Sequence, residues 1–496
     1  MALIALYLLI TTAVIILICE LGKTKDSSKY LAIPIVRYSN FLPNFLNRLI
    51  FFFAGPSLIH YGYNKASAIT LYKDVPYRIL KADGDLIVLP QRYADELKHC
   101  PSSVLSSSDA QFENILGEYT DVLIESKLPS LTVSKRLIPM MNKLLPRIIE
   151  EMDHAFDAEL PKCDENWASI DPYNTIFRLL VRSTSRIIAG PVMANNEEWI
   201  ETVRTYTLNV GKTIALLRPF PDFLRPLVAK FLPSVKSLKE QMNYIKEDLF
   251  IPLILSRQEV KGDDFLQWML DLADNDRDRD PDFLAQNLFI VMSLAVVHTS
   301  TMALTQTVFD LVVHLEYVPL LRDEIETALE NGWKNGTFKE FLSMRRLDSF
   351  LRESQRLNPS SEVNFHRIAK TNIVLSDGLQ IPAGTHICFP SGPFSRDNSI
   401  VANADKFAGF RWSDGRTHKS MTRIGVDNMH FGFGRQACPG RAFAAVMMKA
   451  ILSRLITEYE MQFKNGVVER PANLVNGEQI FPNLRIKVFL KKIGSV

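Results

Sequence analysis

A chain of 496 residues that is 47% hydrophobic and 23% charged can build a large buried core, and no Gly/Ser/Pro-rich linker, repeat or low-complexity tract divides it. A formal charge of +2 supplies no field that would draw in nucleic acid. The five cysteines are odd in number, scattered and without a CxxC pair, which excludes a zinc ribbon and a disulfide framework and points to a reducing compartment.

Residues 2–19 carry no charge and only Thr11 and Thr12 as polar interruptions, a run long enough to cross a bilayer. No Lys or Arg precedes the run and no small-x-small cleavage site comes after it, so residues 1–22 read as a membrane anchor rather than a signal peptide. Lys23, Lys25 and Lys29 place the remainder of the chain, residues 23–496 as one domain, in the cytosol. A second apolar patch at 49–54 is too short to span and is expected to end at Gly55-Pro56, against the membrane face or the core. Residues 77–81 and 86–89 flank Asp83-Gly84 as a hairpin. Helical periodicity then dominates residues 91–272, with the Pro-rich apolar stretch 216–233, containing Phe220, Phe223 and Phe231, as a connection between helices.

The polar tract 274–280 caps the next element, and Pro281 suits its first turn. No Pro or Gly interrupts residues 281–317, which predicts one helix roughly 54 Å long. Its middle, 288–297, is apolar apart from Ser293, so burial on every side is expected. His298, Thr299, Ser300 and Thr301 come next, and in a buried helix such groups either bond back to the preceding turn or border a polar cavity. Glu353 and Arg356 share one face of a helix stopped by Pro359. Residues 372–375 and 380–382 flank Asp377-Gly378 as a second hairpin, and Asn476-Gly477 with the alternating residues 484–489 predicts a last one.

Cys438 is the centre of the most informative stretch, residues 431–444, read FGFGRQACPGRAFA. It comes after the turn glycines Gly432 and Gly434 and precedes Gly440 and a helical segment, 441–459. A sulfur at a helix N-terminus is stabilised as thiolate, the metal-ligating form. One cysteine cannot build a tetrahedral zinc site, but it can be the single protein ligand of a porphyrin-held iron. As a dinucleotide fingerprint the glycines would need a buried strand before them, and residues 426–430 are too polar. An inert buried cysteine is the other reading of the loop taken alone.

Phe431, Gly434, Cys438 and Gly440 resemble the haem-binding loop of cytochrome P450 monooxygenases, in the form common among fungal enzymes of secondary metabolism. Gln436 stands where that family usually has Arg or His toward a haem propionate, and Arg367, in the family's other propionate-binding place, is expected to carry more of that anchoring. Ala295, His298 and Thr299 are similar to the oxygen-binding segment of the family's central helix, with His298 in place of the usual acid, either relaying protons or bonding a neighbouring helix. Glu353, Arg356 and Arg411 match its buried ion-pair network. The resemblance implies a mainly α fold with small β-sheets, the cytochrome P450 fold preceded by an N-terminal transmembrane helix. It further implies haem b on Cys438, O2, electrons from an NADPH-cytochrome P450 reductase docked near Lys419, Arg423 and Lys449, and a small lipophilic substrate, a terpenoid or indole-terpenoid. The implied location is the endoplasmic reticulum membrane, single-pass, with the catalytic domain in the cytosol. Rivals are a haem-thiolate isomerase or synthase, which needs no reductase, and a non-catalytic haem sensor.

Overall fold

The computed structural model describes residues 33–65, 74–122, 126–414 and 418–494. The anchor read at residues 1–22, with Lys23, Lys25 and Lys29, lies outside the described residues. Within them the architecture is mainly helical, with four small sheets.

The longest helix, Pro281–Val313, organises the helical part. It starts there because the Asp280 carboxylate accepts the Phe283 N–H at 2.9 Å and Pro281 occupies the first turn. It stops at Val313, short of the expected end at residue 317, because His314 leaves helical geometry (φ −121, ψ 54) and Leu315–Tyr317 turns as a 3-10 helix. Leu284, Leu288, Phe289, Leu304 and Phe309 are at most 1% exposed. Each such side chain contributes about 1.5–3 kcal/mol through burial. Trp199 and Tyr206 pack edge-on against Phe289, with ring centroids 5.8 and 4.6 Å away. Around this helix lie Pro172–Ile188, Glu197–Leu217, Arg345–Leu357 and Arg441–Glu458. Among the described residues it alone is long and apolar enough to cross a membrane, yet it is the core of this fold.

The middle of that helix corrects the expectation of burial on every side. Val291–His298 is π-helical, and Ala295 on it is exposed. A π-helical stretch displaces side chains from their α-helical positions and often marks a functional segment.

A mixed sheet of β1 (Ile35–Val36), β2 (Tyr77–Lys81), β3 (Gly84–Val88), β4 (Leu105–Ser106), β6 (Asn364–Ala369) and β9 (His386–Phe389) has the order β1-β2-β3-β9-β6-β4. β5 is Ala168–Ile170, in a separate sheet. The β2–β3 hairpin turns at Ala82-Asp83, one residue before the expected Asp83-Gly84, with Gly84 already paired to Lys81, and β7 (Ile373–Val374) pairs with β8 (Gln380–Ile381) about a turn in which Gly378 has φ +87. The last expected hairpin forms differently. β11 (Leu474–Asn476) pairs with β12 (Gln479–Phe481), while β13 (Val488–Lys492) pairs with β10 (Tyr459–Phe463) and β5. Residues 484–487 are not strand: Pro482 cannot donate to a ladder, and Ile486 N–H turns back to the Asn483 carbonyl at 3.2 Å.

Nor does the helix of the second apolar patch end at Gly55-Pro56. Asn44–Asn64 bends at Ala54 (φ −127, ψ 20) and continues through Pro56. The bend brings it onto the β11–β12 turn: Gly477 N–H donates to the Phe52 carbonyl at 2.8 Å, and a Cβ on Gly55 would lie 1.9 Å from the Gly477 carbonyl oxygen. Leu49 and Phe53 remain exposed on its outer side.

Candidate active site

The loop before the Arg441–Glu458 helix folds as its glycines dictate. Gly432 and Gly434 both have positive φ, +75 and +73, and Cys438 N–H closes the loop onto the Phe431 carbonyl at 2.7 Å. Arg435 N–H donates to the Lys98 carbonyl at 3.0 Å, so close that a Cβ on Gly434 would sit 2.1 Å from that oxygen. Gly434→Ala therefore adds a backbone collision to about 1–2 kcal/mol of left-handed strain. The expected result is a several-fold lower haem-to-protein absorbance ratio in purified protein, with the helical circular dichroism retained.

Cys438 sits at the start of the helix with an accessible side chain, and its Sγ accepts from the backbone N–H groups of Gly440 and Arg441. Burial in the surrounding chain pushes the thiol up, opposed by those two bonds and by the Arg441 charge. The sulfur is thus enclosed by protein while open to an adjoining space. A coordinating metal deprotonates such a thiol outright, and the two N–H groups then hold the thiolate.

Gln436 is committed to the chain itself. Its Oε1 accepts Ser107 N–H at 2.9 Å, and its Nε2 donates to the Leu105 carbonyl at 2.8 Å, fastening the loop to β4. Arg367 is placed differently. The ladder between β6 and β9 shifts register between Asn364 and Arg367, and Phe365 takes φ +61 there. This carries the Arg367 guanidinium over the Phe365 ring at 4.0 Å. Nη1 donates to the His366 carbonyl at 2.8 Å, Nε is buried without a partner, and no carboxylate pairs with the group among the described residues. Burial lowers its pKa to about 10. A buried cation with an unused donor fits an anionic propionate, and the enclosed, accessible sulfur fits an iron.

On the central helix Ala295 and Thr299 are exposed, whereas Met292, Ser293, Val297, Ser300 and Thr301 between and beside them are buried. Thr299 Oγ1 donates back to the Ala295 carbonyl at 2.9 Å, leaving its lone pairs on the open face. Thr301 and Ser293 bond back in the same manner but inside the core. His298 instead meets another helix: its Nδ1 is 3.1 Å from Tyr173 Oη. Burial lowers its pKa to about 4, so the imidazole is neutral at neutral pH.

Glu353, Arg356 and Arg411 come together in the interior. Arg356 Nε and Nη2 donate to the two oxygens of Glu353 at 2.9 and 2.7 Å, and Arg411 Nε donates to Oε1 at 3.0 Å. Trp412 Nε1 at 3.1 Å and Ala408 N–H at 3.0 Å complete the shell of a carboxylate that is fully buried.

Lys449 requires a correction. It is 0% exposed and pairs with Asp348 at 2.7 Å, so it cannot meet a docking partner. Arg423 is exposed, and Lys419 is half-buried and held by Asp427 at 2.7 Å. A lysine inside the apolar run AFAAVMMKAIL was the available signal, since such a residue is buried only with a partner. Asp348→Ala would leave that ammonium unpaired, and a drop of about 3–5 kcal/mol in unfolding free energy is expected by denaturant titration. Tyr173 and Trp412 were also missed. Each lies far along the chain from the residue it bonds, and although Trp412 directly follows Arg411, its indole N–H was not read as part of the network.

The family profile described as Cytochrome P450 matches residues 130–488. The chain is 44% identical over 471 residues to Cytochrome P450 monooxygenase penP of Penicillium crustosum, an alignment covering 93% of this chain and 90% of that protein. It is 44% identical over 470 residues to Cytochrome P450 monooxygenase janP of Penicillium janthinellum, covering 92% and 90%. To Cytochrome P450 monooxygenase AtmP of Aspergillus flavus it is 41% identical over 496 residues, covering 98% and 94%.

Proposed function

The chain belongs to the cytochrome P450 family and is a monooxygenase of the oxidoreductase class, and from that premise we propose that Cys438 is the one protein ligand of its haem b iron. The family holds its haem through a cysteine thiolate. The observation that carries the reading is the enclosed yet accessible Cys438 sulfur with its two backbone N–H donors. When bound, the haem supplies reductive activation of O2, with electrons from an NADPH-dependent reductase, for insertion of one oxygen atom into a C–H bond.

The chain's own residues position and insulate this chemistry. Gly434 and Phe431 shape the loop, Gln436 ties it to β4, and Arg367 neutralises a propionate. Ala295 leaves room on the opposite face, and the Thr299 hydroxyl orders water there. Glu353, Arg356 and Arg411 hold the frame beneath the loop. The substrate is a small lipophilic molecule, a terpenoid or indole-terpenoid of fungal secondary metabolism. What supports an apolar substrate is the partly open apolar set Val291, Leu294 and Val296 beside Ala295. We place residues 1–22 as an anchor in the endoplasmic reticulum membrane and 23–496 as one catalytic domain facing the cytosol. The exposed Phe41, Phe53, Phe223, Leu227 and Phe231 support contact with a lipid surface. Lys419 and Arg423 are the basic groups left for the reductase.

The test is full-length protein co-expressed with a reductase and fed lipophilic precursors under 18O2. Reductase-dependent NADPH consumption with one labelled oxygen in the product is expected. Conversion without reductase or NADPH would contradict this reading in favour of an isomerase or synthase, and haem binding with no reductase-dependent NADPH consumption would contradict it in favour of a sensor. Thr299→Ala should divert most of the consumed NADPH into peroxide, and a fully coupled Thr299→Ala enzyme would contradict its place at the oxygen.

A further inference from the structure

Thr299 and Ala295 occupy the open face of the central helix, whereas His298 turns its ring toward the helix Pro172–Ile188. Tyr173 stands in the first turn of that helix, whose start is capped by Asp171 accepting Asn174 N–H at 3.1 Å. The same tyrosine lines a cleft of ≈ 400 Å³ together with Asp171, Arg178, Glu201 and Arg204. These charges already have partners: Arg204 with Glu201 at 2.8 Å, Arg178 with Glu197 at 2.6 Å, and Asp171 with Lys487 at 3.3 Å. Tyr173 therefore stands between the cleft its ring lines and the middle of the central helix, where its hydroxyl meets His298.

We propose that Tyr173 is the positioning residue of His298: its phenol donates to Nδ1 and fixes the imidazole as the Nε2–H tautomer. The inference rests on the proposed placement of Ala295 and Thr299 at the haem. The direction of the bond comes from the inventory of partners. Among the described residues Tyr173 Oη has His298 as its one partner, so a bond in the opposite sense would leave the phenol proton without a protein acceptor, at about 1–3 kcal/mol if it is kept from water. Burial also keeps both groups neutral, raising the phenol to about 12 and lowering the imidazole to about 4. With Nδ1 accepting, Nε2 carries the hydrogen, and no described residue bonds it.

Held in this tautomer, the neutral ring keeps Nδ1 as acceptor from the phenol and its Nε2–H as a donor of fixed direction, available to hydrogen-bond water.

The test is Tyr173→Phe in the full-length, haem-loaded protein. The readout independent of turnover is 15N NMR of histidine-labelled protein in the reduced carbonyl form, with His298 identified by the signals lost in His298→Ala. An unprotonated Nδ1 and a protonated Nε2 are expected in the parent protein, and a shift toward mixed tautomers in Tyr173→Phe. Peroxide formed per NADPH should rise several-fold, with the thermal midpoint within a few degrees of the parent. A parent tautomer with Nδ1 protonated overturns the proposal. So does a Tyr173→Phe protein with unchanged coupling while His298→Ala is uncoupled, which leaves the reading of the site standing. If His298→Ala and Thr299→Ala both stay coupled, that reading fails, and the inference with it.

Discussion

Glu353→Ala should yield no folded, haem-loaded protein. The carboxylate takes donors from Arg356, Arg411, Trp412 and the Ala408 backbone while fully buried, so its removal strands two guanidinium groups and two neutral donors. Breaking one buried ion pair by deleting a partner costs about 3–5 kcal/mol. Here two pairs fail together, against a total stability of about 5–15 kcal/mol for a native protein. The expected observation is loss of soluble, haem-absorbing protein on expression. Glu353→Gln keeps an acceptor for Arg411 and Ala408 but no charge, and should fall between the two. A Glu353→Ala protein with parent-like haem content and thermal midpoint would show that the network is dispensable.

The dependence on this cluster could be read in part from the chain. An i, i+3 Glu and Arg on one helix face is legible anywhere, but burial is what turns a pair worth tenths of a kcal/mol into one that decides folding. Burial here comes from residues 395–412, whose carbonyls from Ser395 and Lys406 accept from Arg356 at 3.1 and 3.2 Å. No local pattern announces that a loop some forty residues on will fold over the pair.

The same division runs through the molecule. Hairpins near Asp83-Gly84 and Asp377-Gly378 were legible because the turn chemistry is local. The long central helix was legible because nothing in it breaks a helix, and the cap at Asp280 is local too. Its exposed Ala295 came only from the family resemblance and not from the periodicity, since a π-helical stretch has no signature in an apolar run. Gln436 looked like a weakened propionate contact from its place in the motif, yet its amide is spent on Ser107 and Leu105. The strand at 484–489 was misplaced because alternation persists through Lys487, while pairing begins only at Val488.

His298 shows how a structure narrows a question that a sequence leaves open. An imidazole at its unperturbed pKa of about 6.5 could act as acid or base near neutrality. Burial lowers it to about 4, which removes the charged form from the working range and leaves a neutral ring with one donor and one acceptor. The bond to Tyr173 then becomes the feature on which its behaviour turns.

Cys438 as the iron's single protein ligand underlies every role proposed for the site, and the absorption spectrum of the reduced carbonyl complex tests it most directly. A serine oxygen cannot donate electron density as a thiolate does. Cys438→Ser should therefore abolish the thiolate-type band, whether or not some haem is retained. Cys388→Ser should leave the band intact, because that thiol is 0% exposed within β9 and burial holds it protonated. A surviving thiolate-type spectrum in Cys438→Ser, or its loss in Cys388→Ser instead, would contradict the assignment.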